Sequence, residues 1–76
     1  MNENDIYRIF AKNVQKYRAQ KGVSIEELTI LSGINHKYLC RIESATAKRL
    51  TTKHLFQIAQ ALEFEPYKFV LEDMEM

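Results

Sequence analysis

The chain has 76 residues, 46% of them hydrophobic and 28% charged, with a formal net charge of +1. That suits one small core and excludes a second, and it fits a globular protein rather than a disordered one. The balance of charge does not by itself ask for an anionic partner, and a single cysteine cannot form an internal disulfide, in keeping with a reducing compartment.

Only two Gly and one Pro, with no β-branched alternation, point to an all-α fold in one domain, 1–76. Asn4 or Asp5 can cap a first helix that runs to about Lys21 and stops at Gly22. Phe10, Val14 and Tyr17 form its inner stripe, with Ile6 one turn earlier. Arg18 lies within about 40° of Val14 on the same wheel, so an arginine faces inward and needs a partner.

The stretch 24–43 reads as helix, sharp turn, helix. Ser24 with Glu27 makes a capping box, Leu28 and Leu31 mark a buried face, and Gly33 falls where a left-handed residue is needed. Asn35 caps the next helix, which carries Leu39 and Ile42 inward. Glu43 sits about 40° from Leu39, so its carboxylate points inward too, and an Arg18–Glu43 ion pair is expected. On the opposite side Lys37, Arg41 and Ser44 cluster, with Cys40 on the shoulder and His36 and Lys37 at the helix start. Two short helices with a basic outward face on the second are the pattern of a DNA-binding helix-turn-helix.

The loop SATAKRLTT follows with Lys48 and Arg49, and Thr51 or Thr52 caps a fourth helix with the stripe Leu55, Ile58, Ala59 and Leu62. Free N–H groups at that helix start, beside two basic residues, suit a phosphate. Pro66 opens an expected fifth helix, about 66–74. Phe64, Tyr67, Phe69, Val70, Leu71, Met74 and Met76 offer more apolar surface than a small monomer covers. Self-association through Phe69, Val70 and Met74 is therefore expected. Charge divides the same way. From His36 to His54, Lys37, Arg41, Lys48, Arg49 and Lys53 stand against Glu43 alone. From Glu63 to Met76, Lys68 stands against Glu63, Glu65, Glu72, Asp73 and Glu75.

Other chemistry finds little support. His36 and Cys40 share a helical face and His54 could approach, but nothing else has metal-ligand spacing, so no metal and no cofactor are expected. Cys40 reads as a space filler, or as a thiol sensor beside Lys37 and Arg41. No nucleophile–base pair with an orienting third group and no phosphate-cradling Gly loop are present, and an enzyme is not expected. Nor is a small-molecule ligand. MNENDI lacks an export signal and Phe69-Val70-Leu71 is too short to cross a bilayer, so a cytoplasmic protein without membrane contact is expected.

The ordered set Arg18, Gly22, Ser24, Glu27-Leu28, Ser32-Gly33-Ile34, Tyr38-Leu39, Arg41-Ile42-Glu43, Leu55, Ile58-Ala59 and Ala61-Leu62 resembles the lambda-repressor-like helix-turn-helix family, also called Cro/CI-type or XRE-type. The match spans roughly Phe10 to Val70. Short length, Tyr38 and the apolar fifth helix also look like controller proteins of restriction–modification systems. The resemblance implies five helices, DNA binding as a homodimer and base contacts from Asn35, His36, Lys37 and Arg41, and it supports the Arg18–Glu43 pair. Three departures stand out. Ile25 replaces the usual Gln, so a phosphate contact there falls to backbone N–H or Ser24. Thr29 replaces the usual Ala. The usual Gly after the Glu is missing, with Ala45 nearby.

The expectation is a sequence-specific transcriptional regulator, a homodimer on a pseudo-palindromic duplex DNA site. Ser24, Tyr38, Lys48, Arg49, Thr51, Thr52 and Lys53 would contact the DNA backbone. The alternative is an antitoxin-like module that binds a protein through its apolar C-terminus.

Overall fold

The computed structural model describes residues 3–47 and 49–71; the expected roles of Lys48 and Met74 fall outside the described residues. Four α-helices follow one another: α1 (Glu3–Lys21), α2 (Ile25–Ser32), α3 (His36–Glu43) and α4 (Thr52–Leu62). No strand occurs among the described residues.

Each boundary has a local cause. α1 ends where Gly22 turns left-handed at φ 66°, and Val23 N–H reaches back to the Arg18 carbonyl at 3.0 Å. α2 opens on the complete Ser24–Glu27 capping box. It closes on Gly33, φ 75°, whose N–H bonds the Thr29 carbonyl. α3 is capped by the Asn35 side chain, which accepts from Tyr38 N–H at 3.2 Å. Its end is a Schellman turn without glycine. Ala45 takes φ 61°, Ala45 N–H bonds the Ile42 carbonyl at 3.1 Å, and Thr46 N–H bonds the Arg41 carbonyl at 2.8 Å. Thr51 caps α4, and Glu63 repeats the left-handed exit at φ 62°.

One core joins all four helices. Phe10 and Val14 of α1 meet Leu28, Ile34, Leu39 and Ile42 of the helix-turn-helix and Ile58, Ala59 and Leu62 of α4. Tyr17 and Phe64 pack at 4.2 Å between ring centroids, and Phe69 closes the base edge-on to Tyr17 at 5.1 Å. Two expected inward residues face out: Ile6 is exposed, and Leu31 is 56% exposed. In α2, Ile25 and Ser32 lie on one side of Leu28 and Leu31 on the other. The core takes the Ser32 side because the Ser32 hydroxyl satisfies the buried Ile34 N–H at 3.1 Å.

The expected fifth α-helix over 66–74 does not form in the described residues, which hold four α-helices, not five. Pro66–Phe69 makes a single 3-10 turn instead. The reason lies in α1. Buried Asn13 donates its side-chain N–H groups to the Phe69 carbonyl at 2.7 Å and the Leu71 carbonyl at 2.9 Å. The Phe69 carbonyl, which a continuing helix would use for its next turn, is already bonded to the side chain. Phe69 itself is 0% exposed, a core residue and not part of a dimer surface as expected. Val70, by contrast, is exposed, together with Tyr67 and Leu71.

Candidate nucleic-acid interface

α3 is amphipathic. Leu39 and Ile42 are buried, while His36, Lys37, Cys40 and Arg41 are exposed on its outer side. Burial of the first pair fixes the orientation of the second group, because residues three and four apart share a face. Two contacts lock the helix from behind. Arg18 Nε donates to Glu43 Oε2 at 2.7 Å and Arg18 Nη2 to Glu43 Oε1 at 3.0 Å, a two-pronged pair, while Nη1 donates to the Val23 carbonyl at 3.1 Å. The hydrogen bond to Glu43 raises the Arg18 pKa against the opposing effect of burial. Gln15, also on α1, donates to the Glu43 carbonyl at 2.5 Å and so satisfies the C-terminal end of α3.

The outer face sorts into committed and available groups. The Asn35 carbonyl oxygen is taken by its capping bond, leaving its amide N–H groups to donate. His36 Nε2 lies 3.6 Å from Glu26 Oε2 on α2, and its Nδ1 is 3.9 Å from Cys40 Sγ. No ion pair engages Lys37 or Arg41 among the described residues. These two cations are the ones α3 holds ready for an acceptor. No group of three His, Cys, Asp or Glu that could hold a metal occurs among the described residues.

Beside α3, the loop to α4 brings Arg49 to the surface, with Thr52 and Lys53 exposed at the start of α4. Thr51 is spent on capping, its hydroxyl accepting from His54 N–H at 3.2 Å and meeting His54 Nδ1 at 2.8 Å. Tyr38 does not reach outward. Its ring packs on His54, centroids 4.6 Å apart, and its hydroxyl donates to the Arg49 carbonyl. Ser24 is likewise engaged. Its N–H is bound by the Glu27 carboxylate at 3.0 Å, which would meet any phosphate placed there.

Four contributors escaped the sequence reading: Tyr7, Asn13, Gln15 and Glu26. A signal existed for Tyr7, which lies within about 20° of Val14 and Arg18 on the α1 wheel, so a hydroxyl belongs to the stripe that faces α3. None existed for Asn13, because its partners are backbone carbonyls that no pattern marks.

The fold, a helix-turn-helix held between α1 and α4, is similar to those of two solved proteins. Among solved structures, the restriction-modification controller protein C.AhdI from Aeromonas hydrophila superposes with a TM-score of 0.77 at 27% identity, over 83% of this chain and 94% of that one. The hypothetical transcription factor NHTF from Neisseria superposes with a TM-score of 0.85 at 26% identity, over 95% of this chain and 82% of that one. No protein-family model and no curated protein matches the chain. None of the helices is long and apolar enough to cross a membrane, among the described residues.

Proposed function

We propose that this chain is a sequence-specific regulator of transcription that binds duplex DNA as a homodimer. The carrying observation is the outward face of α3, where Lys37 and Arg41 stand exposed without carboxylate partners while Arg18 and Glu43 fix the helix behind them. Similarity to a restriction-modification controller and to a transcription factor supports the same reading. In this reading α3 enters the major groove with its N-terminal end leading. Arg41 presents its fork to a guanine edge, Lys37 contacts a neighbouring base, and His36 and the Asn35 amide add hydrogen bonds. Arg49, Thr52 and Lys53 hold the sugar–phosphate backbone, joined by Lys48.

Self-association draws on the exposed Tyr67, Val70 and Leu71, with Met74 beyond. Two copies then address a pseudo-palindromic site whose half-sites are about 34 Å apart or a multiple of that. The protein acts in the cytoplasm, as a binding protein rather than an enzyme.

In vitro selection of bound duplexes from a random pool tests this directly. A two-fold symmetric consensus is the expected outcome, and a pool that never enriches sinks the reading. On the selected site, Arg41→Ala should lose about 1–3 kcal/mol of discrimination at one base pair, measured against duplexes changed at that pair.

A further inference from the structure

From Arg49 to Thr51 the chain has no regular structure, yet one peptide unit in this stretch is gripped from both sides. The Arg49 carbonyl accepts from the Tyr38 hydroxyl of α3, and the Leu50 N–H donates to the Tyr7 hydroxyl of α1 at 3.3 Å. The acceptor and the donor belong to the same amide plane. Two phenols from two different helices therefore fix the rotation of that plane, and with it the direction in which the exposed Arg49 side chain leaves the backbone. The next residue, Thr51, is the N-cap of α4, so the grip also sets where that helix begins. The Tyr38 ring rests on His54, in the first turn of α4.

Resting on the DNA-binding reading above, we infer that Tyr7 and Tyr38 are positioning residues for backbone recognition: their hydroxyls hold the Arg49–Leu50 peptide so that Arg49 meets a phosphate in register with α3. Neither phenol touches DNA in this arrangement. Loop cations lose side-chain and backbone freedom on binding, and a loop held in advance loses less. Coupling through the loop also links α1, which lies behind the reading helix, to the grip on the backbone.

The test uses the full chain and a labelled random-sequence duplex, since phosphate contacts do not depend on sequence. Arg49→Ala should flatten the salt slope of binding by about one unit. Tyr7→Phe and Tyr38→Phe should each weaken binding about threefold to tenfold in the otherwise unchanged protein, and less than about twofold when Arg49 is already alanine. A loss of equal size in both backgrounds would show that the phenols serve stability alone and would overturn the inference, as would no loss in either. Amide exchange of Leu50 in the free protein gives a readout independent of DNA: it should quicken in Tyr7→Phe, and an unchanged rate removes the grip. If the unaltered protein shows no salt-dependent binding, the regulator reading falls and the positioning role with it, while Leu50 exchange still decides whether the peptide is held.

Discussion

The helix-turn-helix and the C-terminal segment are built by different means. From Ser24 to Glu43, each helix end is closed by a residue within a turn of it: Ser24 and Glu27 at one start, Gly33 at the following end, Asn35 at the next start. From Glu63 to Leu71 the chain is held instead by α1, through Asn13 at the Phe69 and Leu71 carbonyls and through aromatic contacts of Phe10 and Tyr17 with Phe69. The first region carries its own instructions, while the second borrows its shape from residues more than 50 positions away. A reading surface benefits from the first arrangement, since its helix keeps its geometry whatever happens at the base of the domain.

The largest effect is expected where the two modes meet, at the Arg18–Glu43 pair, a charged contact from α1 that helps to place α3. Glu43 is 11% exposed and Arg18 25% exposed, so removing one partner strands a largely buried charge. Glu43→Ala should cost about 3 kcal/mol, measured by chemical denaturation, and a near-neutral result would show that the guanidinium finds water unaided. Next in size is Asn13→Ala, expected to cost about 2 kcal/mol because it leaves two carbonyls unpaired, one of them on a fully buried residue. Amide protection around Phe69 should then fall while protection in α3 holds. Equal loss in both would show that the two regions do not separate.

The same division explains what the sequence disclosed. Capping box, turn glycine, the N-caps of α3 and α4, the buried Phe10 and Val14 of α1, the stripe of α4, and the inward Arg18 and Glu43 were legible because each follows from spacing along one helix; the cap expected at Asn4 or Asp5 was not, since α1 already begins at Glu3. The fifth helix was not, since Pro66 marks a helix start equally well for a 3-10 turn, and only Asn13 decides between them. Phe69 reads as surface for the same reason: until the place where the chain folds back is fixed, an apolar residue near the end looks unpaired. At the site, Lys37 and Arg41 were legible as outward residues of an amphipathic helix. The commitment of Tyr38 to the Arg49 carbonyl, and of Ser24 to Glu27, appears only when the elements are assembled.

Smaller effects should come from the two helix exits that lack glycine. Ala45 and Glu63 both sit in the left-handed region, where a Cβ crowds the following carbonyl. Ala45→Gly should stabilise by about 1 kcal/mol in thermal melts. Glu63→Gly should gain slightly less, since it also gives up the exposed contact with Lys21 at 3.4 Å. A loss of stability at either position would mean that the turn geometry is set by tertiary packing and not by the local motif.

The smallest effect concerns pH and the loop. Burial, and then the neighbouring Tyr7, raise the Tyr38 pKa above its ordinary value of 10.0, with Arg49 pulling the other way. A raised value in the folded protein means that folding favours the protonated phenol. Its contribution is therefore complete below pH 10.0 and is lost as pH climbs through the folded value, because the unfolded chain ionises first. The hydroxyl is also the donor to the Arg49 carbonyl, so ionisation removes that hydrogen bond along with the stability. In alkaline titrations, the stability of the unaltered protein should fall more steeply above pH 10.0 than that of Tyr38→Phe, which has no proton to lose there. Parallel curves would place the phenol in water. The loop would then be held by the Tyr7 hydroxyl at Leu50 N–H and by the Thr51 cap, without a contribution from α3.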